Sequence, residues 1–469
     1  MEDRLAKVPV VHTTNFTDEV LSFLAKSTQD SFRLDQMKPT VQTHKFNTTW
    51  NDQKNHLKAT ADRYQNVIRK SGNQTVRVTV EDPSTAGKYK LQGTVANAMG
   101  SGANLALSGN LGGKMIGTIT TIGRDGPTAA DSARTIAILQ FLQGKKKIKQ
   151  ENPWIERIWL MSDEFKWPEV WSAEPQISSR FNPKSASRPL NSSQTSAVEH
   201  MLSQTNDTRI TLIQGPPGTG KTTVIASFVQ AALRRGQNGI WLVAQSNVAV
   251  KNIAEKLADF GILDWKLFVS NDFIEFWHEH LYTDIRSNVI LGDELLDPGI
   301  VKDLTNCRVI LCTLSMLSKR ALRDRGITRV VPLSTLVVDE ASQIELGGYI
   351  PVFNLFTSIR KVCFIGDDKQ LPPYGQEDIQ DLKSVFEVEH LHSDTIFLDT
   401  QYRMPPQVGD FISQAIYDGK LQSNEFHQVT TDSMACYFVD VSLGQEESFG
   451  TSWKNAEECK AVLQIATIL

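Results

Sequence analysis

The stretch LIQGPPGTGKTTVI, residues 212–225, constrains the fold more than any other part of the chain. Gly215, Gly220, Lys221 and Thr222 fit the phosphate-loop spacing G-x-x-x-x-G-K-[ST]. An apolar run, TLIQ, enters the loop. A helical pattern with Val224, Phe228 and Ala231 leaves it. Glycines let backbone N–H groups approach phosphate oxygens with no Cβ in the way. GPPGTGKTT therefore predicts a nucleotide site formed by Gly215, Pro216, Pro217, Gly218, Thr219, Gly220, Lys221, Thr222 and Thr223. Lys221 is expected on the β- and γ-phosphates, and the Thr222 hydroxyl on Mg2+. ATP or GTP fits such a loop, which requires an α/β core but leaves open what the nucleotide drives.

From Leu190 onward, strand, loop and helix alternate. GIWLVAQS, RVILCTL, TLVVDE and KVCFIG are apolar runs of the kind that form buried parallel strands. LVVDEASQ, residues 336–343, ends such a strand in two carboxylates. Asp339 is expected to hold Mg2+, usually through water. Glu340 is expected to orient and deprotonate the attacking water. In FIGDDKQLPP, Gln370 is placed to contact the γ-phosphate and sense its loss. In LNSSQTSAV, Gln194 precedes Gly215 by 21 residues, and an amide there can read the adenine edge through a donor and an acceptor. LDTQYRMPP supplies Arg403, a candidate arginine finger worth ~10³–10⁵ in rate, and Tyr402, a face for the adenine ring.

Upstream the pattern differs. Residues 50–70 read as one helix, with Leu57, Ala61, Tyr64 and Ile68 on a single stripe, after weak helix around Asp18 to Lys26. From Gln74 the period changes to two, in VRVTVED, KYKLQGTVANAM, ANLALSG and MIGTITTIG. Short strands with turns between them predict a small β-barrel. RTIAILQFL closes the series as strand or helix. Trp154, Trp159, Trp167 and Trp171 mark an ordered linker; the tryptophans either anchor it on a core or stack on bases. An aromatic- and acid-rich stretch, 271–306, reads as a helical insertion carrying His278 and His280 on its surface. The resulting plan is an N-terminal extension and stalk helix (1–73), a barrel (74–150), a linker (151–187), a nucleotide-binding domain (188–394) and a final segment (395–469).

Composition narrows the partners. Of 469 residues, 40% are hydrophobic and 22% charged, which fits a soluble globular chain. The net charge of −4 gives no bulk attraction for nucleic acid, so any basic surface is local. GKKKIK, residues 144–149, reads as a solvated loop. The five cysteines form no C-x-x-C pair, which argues against a zinc module or a disulfide framework. No apolar run approaches the ~20 residues of a membrane span, and the first residues lack a signal-peptide core. A reducing compartment, cytoplasm or nucleus, is expected.

GPPGTGKTT, DEASQ, GDDKQLPP and QYRM, in that order, resemble superfamily 1 helicases of the Upf and senataxin type, from about Leu190 to the end of the chain. VAQSNVAVKNIAEKL is similar to the family's nucleic-acid-contacting motif A-P-S-N-x-A-V-D. Gln245 stands for its proline and Lys251 for its aspartate, so Ser246 and Asn247 carry over. Thr313 in CTLSMLS matches a further contact to the nucleic-acid backbone. IYDGKLQS resembles the segment after the arginine motif.

The resemblance implies a RecA-like P-loop domain preceded by a helical stalk and a small barrel and followed by a second RecA-like domain. It also implies ATP and Mg2+ as cofactors, single-stranded RNA or DNA as partner, and 5′ to 3′ movement as ATP closes a cleft between the two domains. Arg403 would come from the second. Two further second-domain motifs, a Gly-Gln-rich contact and an R-x-R segment, are not found. The expectation is therefore a partial second domain over 395–469, with an ATP-regulated nucleic-acid clamp or scaffold as the alternative to productive unwinding. QYRM and KQLPP argue against a third possibility, an AAA-type unfoldase.

Overall fold

The computed structural model describes residues 16–44, 46–51, 56–60, 68, 75–81, 88–99, 102–109, 111, 115–124, 126–160, 165–172, 189–270, 283–429, 438–449 and 452–468. The chain divides into two compact units. One comprises Met1–Met37, Pro127–Met404 and Gly409–Phe426; the other comprises Lys38–Gly126, Pro405–Val408 and His427–Leu469.

The smaller unit carries a seven-stranded antiparallel sheet. Its strands are β1 (Val41–His44), β2 (Asn47–Asn51), β3 (His56–Thr60), β4 (Thr75–Glu81), β5 (Lys88–Met99), β6 (Gly102–Leu107) and β7 (Met115–Ile122), in the order β1-β7-β4-β5-β6-β3-β2. Val76, Val78 and Val80 alternate into the core with Leu57, Leu105 and Ile119. Four of these strands, β4 to β7, lie where the period-two runs place them. Among the described residues no pairing joins β1 to β2, so the described strands form an open order.

The helix expected over 50–70 is corrected to strands β2 and β3. Trp50 pairs with Leu57, and Thr48 with Ala59. Leu57 and Ala59 are both buried while Lys58 between them is exposed, so a period of two competes with the helical stripe at the same residues. Pairing of β3 with β6 decides it, because strand formation follows tertiary context more than local preference. Residues 61–67, which hold the middle of that stripe, lie outside the described residues.

RTIAILQFL is helical, within Ala129–Leu142, and belongs to the larger unit, so the β-rich region ends near residue 126 rather than 150. Thr128 starts this helix: its hydroxyl accepts from the Asp131 N–H, and the Asp131 carboxylate accepts from the Thr128 N–H.

In the larger unit eight strands form one sheet: β8 (Ile210–Gln214), β9 (Ile240–Ala244), β10 (Trp265–Val269), β11 (Val289–Leu291), β12 (Val309–Thr313), β13 (Thr335–Asp339), β14 (Lys361–Gly366) and β15 (Ile396–Phe397). The order is β11-β10-β12-β9-β13-β14-β8-β15, with every neighbouring pair parallel. Its longer helices before residue 400 are α1 (Asp18–Met37), α2 (Ala129–Leu142), α3 (Pro153–Trp159), α4 (Ser192–Leu202), α5 (Lys221–Arg234) and α6 (Asn247–Asp259).

Alternation along each strand feeds two cores. Leu242 and Val337 pack with Val198, Phe228 and Ile253 of α4, α5 and α6. Trp241, Val243 and Val338 face the other way, toward Phe141 of α2, Ile155 of α3 and Phe353. Burial on both faces is why these strands read as unbroken apolar runs.

Two boundaries shift. Val289–Leu291 lies inside the expected insertion but forms the edge strand β11, paired with β10. The insertion is therefore not helical throughout; residues 271–282, with both histidines, lie outside the described residues. The TIFLD run, expected in the final segment, supplies β15 to this sheet beside β8. Beyond it, β16 (Thr400–Gln401) pairs in parallel with β17 (Gln422–Ser423) across α7 (Pro406–Ile416). A hairpin, β18 (Glu446–Phe449) with β19 (Ser452–Asn455), leads into α8 (Ala456–Ile468). Of the strand expected in ACYFVDV, residues 435–437 lie outside the described residues and 438–440 have no regular structure. Among the described residues no helix is long and apolar enough to cross a membrane.

The tryptophans of the linker are packed inward. Trp154 is 3% exposed, donates from Nε1 to the Ile359 carbonyl at 3.3 Å, and stacks 5.7 Å from Phe353. Trp167 and Trp171 lie 4.8 and 5.8 Å from it, ring to ring. Replacing Trp154 by alanine is expected to cost ~3–5 kcal/mol in urea unfolding with no selective effect on any nucleic-acid affinity. Selective loss of that affinity, with stability intact, would show that this ring serves a base instead.

Candidate functional site

A parallel sheet brings the loops after its strands to one edge. That edge collects the loop after β8, Asp339 at the end of β13, the GDDKQ turn after β14, Ser246 after β9 and Thr313 at the end of β12. The Gly215 N–H donates to the Gly366 carbonyl at 2.8 Å, pinning the phosphate loop to the neighbouring turn. Gly218 and Gly220 have φ of 78° and 82°, a region that side chains disfavour. A Cβ on Gly218 would stand 2.6 Å from Cβ of Arg403, and one on Gly220 2.8 Å from Gln194 Nε2. Both glycines thus admit close neighbours as well as the turn. Lys221, first residue of α5, donates to the Gly215 carbonyl at 2.8 Å, which holds its ammonium over the loop.

The two carboxylates behave differently. Asp339 is 6% exposed, and its carboxyl is pushed up to about 7, chiefly by burial and further by Glu340, against the opposing pull of Lys221. Its Oδ1 accepts the Glu340 N–H at 3.0 Å. Glu340 adopts φ 51° and ψ 38°, a left-handed conformation costing a non-glycine residue of the order of 1 kcal/mol. Its Oε2 is buried with no hydrogen-bond partner among the described residues. A buried acid held near neutrality and an unpartnered carboxylate oxygen form a donor set that a divalent cation and a water would satisfy. Asp339 with the Thr222 hydroxyl fits Mg2+.

Opposite them, Gln370 Nε2 donates to Asp367 Oδ2 at 2.7 Å. Arg403 is exposed and reaches the same cavity. The turn that carries it is clamped by Gln401, whose Oε1 accepts from the N–H groups of Arg403 (3.0 Å) and Met404 (2.7 Å) while its Nε2 donates to the Met404 carbonyl at 2.9 Å. Tyr402 donates its N–H to the Gly218 carbonyl at 2.9 Å, and its hydroxyl accepts from Asn191 Nδ2 at 3.0 Å. Gln194 is buried; its Nε2 donates to the Thr219 carbonyl at 2.9 Å, and its Oε1 accepts the Asn191 N–H at 3.2 Å. It supports the phosphate loop from behind, beside the exposed ring of Tyr402.

A cavity of about 220 Å3 results, lined by the loop from Pro216 to Thr222, by Asp339, Glu340, Gln370 and Arg403, and by Ala249 and Asn252 of α6. Gly215, Thr223, Gln194 and Tyr402 stand outside its lining. Gly215 instead packs against the Lys221 stem, where a Cβ would come within 2.5 Å. Ser246 and Thr313 cap α6 and the turn at Leu314–Leu317: their hydroxyls accept from Ala249 N–H (3.1 Å) and Met316 N–H (3.2 Å). Each keeps its own proton to donate. Asn247 follows Ser246 as the first residue of α6.

Ala249, Asn252, Asp367 and Gln401 escape the sequence reading. Asn252 lies one turn beyond Ala249 on α6, a spacing that helical periodicity could have exposed. Asp367, like Asp339, is a carboxylate at the end of an apolar run. Gln401 lies within QYRM itself but acts on the backbone, for which no spacing rule exists.

An AAA domain family profile matches residues 189–270 and 294–376, passing over the segment that includes β11, and a second AAA domain profile matches 382–469. Over 331 residues the chain is 28% identical to the putative ATP-dependent RNA helicase ECM32 of Saccharomyces cerevisiae, covering 61% of this chain and 28% of that protein. It is 29% identical over 328 residues to the ATP-dependent helicase upf1 of Schizosaccharomyces pombe (59% and 34%). Identity is also 29% over 262 residues to the DNA replication ATP-dependent helicase/nuclease DNA2 of Homo sapiens (55% and 23%). The chain spans about a third or less of the length of these relatives. By the two AAA domain matches and these relatives, the chain belongs to the Upf-like superfamily 1 helicases.

Proposed function

We propose that this chain is an ATP-dependent helicase or translocase that couples ATP hydrolysis to 5′ to 3′ movement on single-stranded RNA or DNA. The observation that carries this reading is the convergence of Lys221, Asp339, Glu340, Gln370 and Arg403 on one cavity. Lys221 and the loop N–H groups bind the phosphates, and Gln194 and Tyr402 bound the adenine side. Mg2+ held by Thr222 and Asp339 would neutralise charge on the β- and γ-phosphates. Glu340 takes the proton of the attacking water, Gln370 contacts the γ-phosphate, and Arg403 stabilises the charge that develops there.

Ser246, Asn247 and Thr313 offer short polar contacts on the same edge, suited to a phosphate backbone and carrying little base information. The named relatives include a putative RNA helicase and a DNA replication helicase/nuclease, so both polymers belong in the test. Cytoplasm or nucleus is the compartment that this reading implies.

The test is ATP turnover with and without single-stranded RNA and DNA, followed by strand displacement. Stimulated turnover with displacement supports the reading. Binding without turnover favours the alternative, an ATP-regulated clamp. Affinity for a single strand is expected to fall with salt at a log–log slope of ~0.7 per phosphate contact. A salt-independent or strongly base-selective titration would contradict backbone contact at these residues.

A further inference from the structure

Asp367 has no exposed surface, and its carboxylate is a junction. Oδ2 accepts two hydrogen bonds, from Gln370 Nε2 at 2.7 Å and from the Tyr417 hydroxyl at 2.6 Å. Oδ1 accepts the Lys369 N–H at 3.2 Å, and the Asp367 N–H donates to the hydroxyl of Ser342, two residues beyond Glu340, also at 3.2 Å. Tyr417 is 4% exposed. It follows α7 directly, donates its N–H to the Ser413 carbonyl at 3.0 Å, and lies 6.3 Å from the Phe397 ring of β15. Burial first, and Asp367 next, push its phenol up, so it remains a donor.

The amide nitrogen of Gln370 carries two hydrogens. Asp367 takes one, and because Gln370 lines the nucleotide cavity the other is available to it. The second donor to Asp367 comes from the segment that leads on from Arg403 through α7.

We propose that Tyr417 is a positioning residue for ATP turnover: through Asp367 it fixes the orientation of Gln370 toward the γ-phosphate and couples α7 to the occupancy of that position. This inference rests on the proposed ATPase. Tyr417 touches no nucleotide; it acts on a residue that does. Losing its hydroxyl would leave Asp367 Oδ2 with Gln370 as its one remaining side-chain donor, and the amide would lose its fixed direction.

Tyr417→Phe keeps the ring and removes the hydroxyl. The expected result is a fall of about tenfold in kcat at saturating single strand, with ATP affinity within about twofold of wild type. Because Tyr417 acts through Gln370, adding Tyr417→Phe to Gln370→Ala should lower kcat no further than Gln370→Ala alone. Asp367→Asn, similar in volume, should show the same non-additivity and covers the case of a Phe variant that folds poorly.

Unchanged kcat in Tyr417→Phe, or effects that multiply fully in the double variant, would overturn the inference and leave Tyr417 as packing. These outcomes in an active wild-type protein spare the proposed function. A wild type that turns over no ATP overturns both.

Discussion

Glu340→Gln is expected to lower ATP hydrolysis by about 10³-fold while ATP still binds. A positioned general base is worth ~10²–10⁴ in rate, and Glu340 is arranged for that role. Its backbone is held in a left-handed conformation, and its Oε2 is buried without a partner. Both features cost folding energy, and a structural role at the surface would require neither. Glutamine keeps the volume and loses only the base. Lys221→Ala should behave differently, because it removes the ammonium held over the phosphate loop, and ATP affinity is expected to fall along with turnover. Single-turnover hydrolysis and direct nucleotide binding separate the two. A Glu340→Gln protein that hydrolyses at the wild-type rate would remove this residue from the mechanism. One that no longer binds ATP would make it a binding residue.

The cavity's lining was legible where it depends on local spacing. A phosphate loop must be a strand, a glycine turn and a helix in succession, so Gly215 to Thr222 announce their own geometry. Two carboxylates at the end of an apolar run do the same at Asp339 and Glu340. What escaped depended on pairing over long sequence distances. Leu57 satisfies both a helical stripe and a strand alternation, and pairing with β2 beside it and with β6, some fifty residues later, selects the strand. β11 is three residues long beside a stretch rich in aromatics and acids, so its burial on the sheet leaves almost no period to read. The two residues of β15 look like the start of something new, yet they complete the first sheet because their partner is β8. Asp367 and Tyr417 are far apart in sequence, and neither residue signals the other. Parallel sheets gather function at strand ends, and that rule could have marked Asp367 beside Gln370. Tyr417 ends an amphipathic helix, where an aromatic residue ordinarily reads as packing.

Asp339→Asn is expected to abolish Mg2+-dependent ATP turnover and yet make the nucleotide-free protein more stable. Folding holds this carboxyl at about 7 against an ordinary 3.8, with burial the first cause and Glu340 the second. Below 3.8 the acid is protonated in both states and contributes nothing unfavourable. Between 3.8 and 7 the folded state binds the extra proton, so stability falls as pH rises. Above 7 both states are ionised and the full penalty applies. At ~1.4 kcal/mol per pH unit the bound is about 4 kcal/mol; water entry and relaxation bring the expected gain nearer ~2 kcal/mol.

Asparagine keeps the oxygen that accepts the Glu340 N–H and carries no charge. Thermal unfolding at pH 8 should therefore show Asp339→Asn above wild type by about 4–8 °C, shrinking toward pH 5. Mg2+ and ATP together should reverse the order, because only the wild-type carboxylate gains a cation to offset its burial. Equal stability at both pH values would mean that the carboxyl is not strained by its surroundings. A variant that is destabilised at pH 8 would mean that the charge serves the fold. The expected crossing, more stable empty and less stable loaded, is what separates a residue kept for its ligand from one kept for the protein.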